Sequence, residues 1–238
     1  MNAIIKVLLI VAAMTVSMAA QSQEKLNFNS EKEPDELIPK PFDKKFYWGL
    51  SLPMYITTIT GDNLPANYFA KPSLGFQIQA EYLPVKFVGI GLGVGFQQRG
   101  AGIINPDKIK TLGDPDSTYI ERIRFNNVEF PINIILRSND VVKGMRLSGT
   151  LNLIPVINFA SNGIVHSVSD GNHLVTDVSS LYQKNDLLYQ FTFGPDINTG
   201  YGLLRIHFVY FKGTKNVYDN TSSKGYNEGY GLKVTWLF

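Results

Sequence analysis

From Phe46 to the C-terminus, apolar residues recur at every second position. Phe46, Trp48, Leu50, Leu52, Met54 and Ile56 alternate with Tyr47, Gly49, Ser51, Pro53, Tyr55 and Thr57. Leu74, Phe76, Ile78, Ala80 and Tyr82 alternate with Ser73, Gly75, Gln77, Gln79 and Glu81. Val88, Ile90, Leu92, Val94 and Phe96 alternate with Gly89, Gly91, Gly93, Gly95 and Gln97. The same rhythm returns over 128–136, 145–153, 187–193, 204–210 and 230–238. Successive strand residues point to opposite faces, so each segment has one apolar face and one mainly polar face. None keeps a helical period over comparable length. Ile123 and Phe125 fall out of phase with Val128 and Phe130, which predicts a bulge near Asn126.

The joins between these eight segments alternate in length. Those around 83–84, 138–142 and 198–200 are short, and those over 60–71, 99–118, 161–183 and 213–226 are long. Tight periplasmic turns and longer outside loops are the wiring of a membrane barrel. The prediction is an all-β chain: an eight-stranded antiparallel up-and-down transmembrane β-barrel over 45–238. The alternative is a soluble sandwich or a lipocalin-like barrel, which would bury its apolar face.

What precedes the barrel supports export. Residues 1–20 read as a signal peptide, with Lys6, an apolar run over 7–16 and mostly small residues over 17–20. Residues 21–44 read as a polar, Pro-bearing periplasmic linker. The chain contains no cysteine, which excludes a lipoprotein anchor, disulfides and thiolate metal sites. Net charge is +2, or +1 once Lys6 leaves with the signal, so nothing suggests nucleic acid. The location implied is the bacterial outer membrane.

The polar face would line the lumen. That predicts an interior network of Glu81, Glu129, Arg137, Arg146, Asp196, Arg205 and Lys233, with Gln77, Gln79, Gln97, Asn152 and Gln190. Eight strands leave an interior that side chains just fill, so the network reads as a charge-paired plug. The glycines at 89, 91, 93 and 95 would make room for Arg146 or Arg205. On the apolar face, Trp48, Tyr82, Tyr210, Tyr230 and Trp236 fall near strand ends and suit the membrane interface. Phe238 ends the last strand and resembles the C-terminal signal read by the outer-membrane insertion machinery.

Three segments add a resemblance. The segment Val128-Glu-Phe-Pro-Ile-Asn-Ile-Ile-Leu-Arg137 is similar to the "LEIPLLLKY"-type strand of the PorT-like outer-membrane barrels of Bacteroidetes. Gly93-Val-Gly-Phe-Gln-Gln-Arg-Gly-Ala101 resembles the strand and "QKGAK"-type turn that precede it in that family, and Phe46-Tyr-Trp-Gly49 resembles the family's opening strand. The resemblance implies an outer-membrane barrel and a link to type IX secretion and gliding.

The residues carry little chemistry of their own. Of three histidines, His207 projects inward with Ser148 and Glu129 on the same face, but no nucleophile motif surrounds Ser148. His166 and His173 share the longest join with Asp170 and Asp177, at a spacing that matches no metal motif. The expectation is a non-enzymatic scaffold or assembly component of an envelope or secretion complex, without cofactor or metal. Its partners would be outer-membrane lipid, the insertion machinery and other envelope proteins. A small channel or ligand-binding barrel, and an outer-membrane lipid hydrolase, remain as alternatives.

Overall fold

The computed structural model describes residues 42, 44–104, 118–167, 173–199, 201–218 and 223–238, with the side chains of 104, 118–121 and 165–174 excepted. The signal peptide and nearly all of the linker expected from the sequence lie outside these residues. Eleven strands follow in order: β1 (Phe46–Asp62), β2 (Asn67–Phe69), β3 (Lys71–Val85), β4 (Val88–Ile104), β5 (Thr118–Glu129), β6 (Ile132–Val142), β7 (Met145–Ser167), β8 (His173–Asp177), β9 (Asn185–Asn198), β10 (Leu203–Gly213) and β11 (Lys224–Leu237).

Their pairing closes a ring. β1 pairs with β3 on one side and β11 on the other, and β11, β10, β9 and β7 follow in turn. β5 covers the upper parts of β4 and β7, while β6 covers their lower parts. β3 and β4 complete the circuit. β5 and β6 are one wall interrupted at Phe130 and Pro131, because proline has no N–H to give the ladder. The Pro131 carbonyl still accepts from the Gly93 N–H at 3.0 Å, and the Phe130 N–H donates to the Pro155 carbonyl at 3.0 Å. Eight walls result, all antiparallel. Among the described residues, ring closure leaves none of the eight walls with an open edge, the condition for a sheet in hydrocarbon.

Alternation decides which face meets lipid. On β1, Phe46, Trp48, Leu50, Leu52, Met54 and Ile56 are exposed, whereas Tyr47, Ser51, Tyr55 and Thr57 are buried. A soluble sandwich would bury the first set. The outward positions turn polar at Thr58 and Thr60. From Phe46 to Ile56 the strand runs roughly 33 Å at about 3.3 Å per residue. At a tilt of about 40° that gives an apolar belt about 25 Å tall, matching the hydrocarbon. Above it, outside the wall, Glu228 accepts from the Thr60 hydroxyl at 2.6 Å and the Tyr210 hydroxyl at 2.9 Å, with Lys212 Nζ at 3.4 Å.

Two expectations about the strands are corrected. Ile123 and Phe125 are buried and continue the inward phase of Asn127 and Glu129 without a break. The bulge lies opposite, on β7. Asn126 faces Ala160 and Asn127 faces Asn158, so Phe159 is the extra residue. On β7 the inward phase passes there from Ile154 and Val156 to Ser161 and Gly163. Ile123 and Phe125 break the apolar-out rule because they stand above the belt, where apolar side chains belong inside. The long joins are also shorter than expected, since 99–104 and 161–167 continue β4 and β7 as strand.

The closing seam gives a direct test. Leu52 lies opposite Val234. With no native cysteine, the pair Leu52→Cys with Val234→Cys is expected to cross-link the first and last walls in the folded protein and to retard the denatured chain on a gel. The offset pair Leu52→Cys with Leu232→Cys should link much less, and equal linking of the two pairs would contradict this register.

Candidate functional site

The lumen is filled in layers. At the periplasmic mouth, Phe42, Tyr47, Leu83, Leu203 and Leu237 form an apolar cluster. Midway, Tyr55, Ile154, Val156, Leu188, Val209 and Phe211 form a second. At the outer end, Ile59, Ala101, Ile123, Phe125, Val178, Tyr182, Val217 and Tyr218 form a third. In this outer layer Tyr182 meets Phe125 edge-on at 5.0 Å, and the Tyr218 hydroxyl donates to that of Tyr68 at 2.6 Å. Burial holds the Tyr182 and Tyr218 phenols well above their ordinary pKa, so they remain neutral.

Between the lower and middle layers lies a ring of alternating charge. Each of two carboxylates touches both of two guanidiniums. Glu81 meets Arg205 at 2.5 Å and Arg137 at 3.3 Å, and Asp196 meets Arg205 at 2.8 Å and Arg137 at 3.2 Å. Arg205 donates twice to each acid. All four side chains are buried. Such bidentate geometry is what holds ions out of water at a tolerable cost. The Arg137 guanidinium also lies 4.9 Å from the Tyr47 ring, tying the quartet to the lower layer. Gln79 donates to Glu81 at 2.8 Å, and Ser51 donates to Gln79 at 3.0 Å and meets Thr235 at 2.8 Å.

Glu129 stands apart from the quartet. It pairs with Arg99 at 2.6 Å, and the Arg99 guanidinium lies 4.2 Å from the Phe211 ring. Arg146 faces the lumen from its mouth and is not part of the quartet. It is the first inward residue of β7, so it stands at the mouth, ion-paired with Asp140 and 4.2 Å from the Phe42 ring. Lys233 is buried, and among the described residues no hydrogen bond or ion pair within 4.0 Å reaches it. The inward glycines of β4 do not make room for Arg146 or Arg205 either. A side chain at Gly91 would meet Asn133 and Glu81, and one at Gly93 or Gly95 would meet Gln77. The space serves neighbours on β3 and β6.

His207 does lie beside Ser148, with Asp196 as the acid of the group. Ser148 Oγ donates to Asp196 at 2.5 Å and lies 2.8 Å from His207 Nε2, while His207 Nδ1 lies 2.6 Å from Thr192 Oγ1. Because the Ser148 hydroxyl proton points at Asp196, His207 Nε2 donates to Ser148 Oγ and Nδ1 accepts from Thr192. A hydrolytic triad needs the opposite order, with the acid on Nδ1 and the serine proton passing to Nε2. Glu129 takes no part. Of the metal candidates, His166 and His173 are opposite one another in the β7–β8 pairing. Their side chains lie outside the described residues, as does Asp170.

On the outer face, Trp48 and Phe238 meet at 4.9 Å, and Trp236 lies 6.3 Å from Phe238. The Phe238 N–H donates to the Trp48 carbonyl at 2.8 Å, so the last residue is seated on the first wall. Tyr82 lies opposite Phe46 at the same end. Tyr210 and Tyr230 are cross-strand partners near the upper limit of the belt.

Several lumen residues carry little signal in the sequence. Arg99 falls in an expected join, although it continues the odd inward phase of β4. Ser51, Thr150, Thr192 and Thr235 carry no charge to attract notice, and Phe42 lies in the linker.

A closed antiparallel ring, apolar outside and polar within, is a transmembrane β-barrel of the outer-membrane kind, and it sits in the bacterial outer membrane. No protein-family model and no curated protein matches the chain. Three solved structures are loosely similar. Ail, the attachment invasion locus protein of Yersinia pestis, is 13% identical, with 82% of this chain and 100% of its own covered at a TM-score of 0.42. Neisserial surface protein A is 10% identical over 82% and 98%, with a TM-score of 0.42. The outer membrane protein OprG from Pseudomonas aeruginosa is 10% identical over 81% and 95%, with a TM-score of 0.44. The class rests on the closed strand pairing, not on these likenesses.

Proposed function

We propose that the chain is a non-enzymatic, non-conducting outer-membrane scaffold of PorT-like kind, acting as an assembly component of an envelope or secretion complex. The observation that carries this reading is that, among the described residues, three apolar layers and an ion-paired quartet fill the lumen, and the cavity beside Arg99 and Asp186 is large enough for about one water. Work then falls to the surface. β7 runs on from Phe159, its last outward apolar residue in the belt, to Ser167, roughly 25 Å along the strand. β4 and β5 continue beside it, and residues on such projections are where binding concentrates. The PorT-like motifs at 93–101 and 128–137 support a role in type IX secretion. Lipid meets the belt, and the insertion machinery reads the strand that ends at Phe238. The reversed order of Asp196, Ser148 and His207 argues against a lipid hydrolase.

The test is cross-linking in intact cells of the native organism, followed by purification of the barrel. The expected result is a defined partner from the secretion apparatus that is lost when 105–117 is shortened. A barrel recovered alone, with secretion undisturbed by its deletion, would contradict the proposal.

A further inference from the structure

Three neighbouring walls change from apolar to polar on their outer face at one level. Along the outward positions, Phe96 is followed by Gln98 on β4, Val128 by Asn126 on β5, and Phe159 by Ala160 and Asn162 on β7. Phe96 and Phe159 are exposed, and their rings lie 6.1 Å apart. Just above them Gln98 donates to Asn126 at 3.1 Å. This row marks the upper edge of the belt on that side of the barrel.

Above that edge β5 turns two arginines outward. Arg124 is exposed and Arg122 half-buried, while Ile123 and Phe125 point into the lumen. The cross-strand partners of Arg124 are Gly100 and Asn162, and those of Arg122 are Gly102 and Ile164. None of the four is acidic. Asp177 lies one strand further on, opposite Asn162, and accepts from the Ser179 N–H at 2.9 Å. Gly100 puts no side chain beside Arg124, and the Phe69 ring takes the place of a Cβ at Gly102. Arg124 stands two residues beyond Asn126, about 7 Å along the strand and about 5 Å higher at a tilt of about 40°. The headgroup region extends about 5–8 Å past the hydrocarbon on each side. Arg124 therefore sits at the level of lipid phosphates.

We propose that Arg122 and Arg124 form an outer-leaflet site for a lipid bearing a phosphate monoester, whose acyl chains lie on Phe96, Val128 and Phe159. Guanidinium forks match phosphate oxygens two at a time. Two of them answer the charge of a monoester, about −1.5 to −2, better than the single charge of a diester headgroup. The exposed rings directly below give the chains an apolar surface at the depth the headgroup sets. The site is independent of the scaffold reading, because it concerns the lipid beside β4, β5 and β7 and no protein partner.

The test uses the full mature barrel in detergent micelles, with phosphatidic acid as the monoester probe and phosphatidylglycerol as the diester. Lipid bound from an equimolar mixture is counted by native mass spectrometry. The wild type should prefer phosphatidic acid by about tenfold, the worth of one further charge-assisted hydrogen bond. Arg122→Gln with Arg124→Gln should lose that preference with its heat-dependent gel shift unchanged. Lys212→Gln removes an outward cation that pairs with Glu228 elsewhere on the barrel, and it should keep the preference. Equal uptake of the two lipids by the wild type would overturn the proposal, and so would a preference that survives the double variant. Displacement of the lipid by inorganic phosphate at equal concentration would overturn it too, since the site would then serve a free ion. Should the double variant fail to fold, Arg124→Gln alone is read in the same way.

Discussion

Asp196→Ala is expected to destabilise the barrel by about 3–5 kcal/mol, the range for removing one partner of a buried ion pair. Asp196 holds both arginines of the quartet and accepts from Ser148. Without it, Arg137 and Arg205 share Glu81 alone, and the Ser148 hydroxyl that orients His207 loses its acceptor. The loss should appear as a lower midpoint in the heat-dependent gel shift and a lower urea midpoint in micelles. Asp196→Asn keeps an oxygen for Ser148 and should lose less. Adding Arg137→Met to Asp196→Ala removes the stranded cation and should recover part of the loss, a coupling that a double-mutant cycle measures. An Asp196→Ala barrel that melts like the wild type would show that the quartet does not hold the lumen.

The second large effect lies at the seam, in how closely β1 and β11 approach. A Cβ at Gly49 would stand 2.0 Å from the Trp236 carbonyl oxygen, and one at Gly231 would stand 2.1 Å from that of Met54. Both obstacles are backbone, so neither can turn aside. Eight walls make a narrow barrel whose strands coil sharply, and glycine is the residue that permits such approach. Gly49→Val and Gly231→Val should each prevent closure for most of the protein, leaving chains that protease degrades and heat does not shift on gels. Gly149→Ala is the control. Its Cβ meets only the Thr192 carbonyl at 3.3 Å and the Phe193 ring at 3.8 Å, so a folded barrel is expected.

These predictions depend on features that differed in how plainly the sequence carried them. The walls were legible because lipid imposes a strict rule on every second residue, as from Phe46 to Ile56. The rule lapses above the belt, so the phase of Ile123 and Phe125 points to a bulge at the right height, beside Asn126, but on β5 where the extra residue is on β7. Inward charges were legible as a set, since Glu81, Arg137, Asp196 and Arg205 share the polar phase. Their partners were not, because register brings residues such as Glu81 and Arg205, 124 positions apart, to one point. Arg146 shows the limit: phase gives its direction, but only its height on β7 places it at the mouth beside Phe42. Lys233 shows the other limit: phase faces it inward, but only the register places it between Pro53 and His207.

A closed barrel with a filled lumen should not conduct, and planar-bilayer recording of the purified mature protein puts this to the test. No discrete, steady conductance is expected under applied voltage. Reproducible unitary steps from the folded wild-type barrel would contradict it.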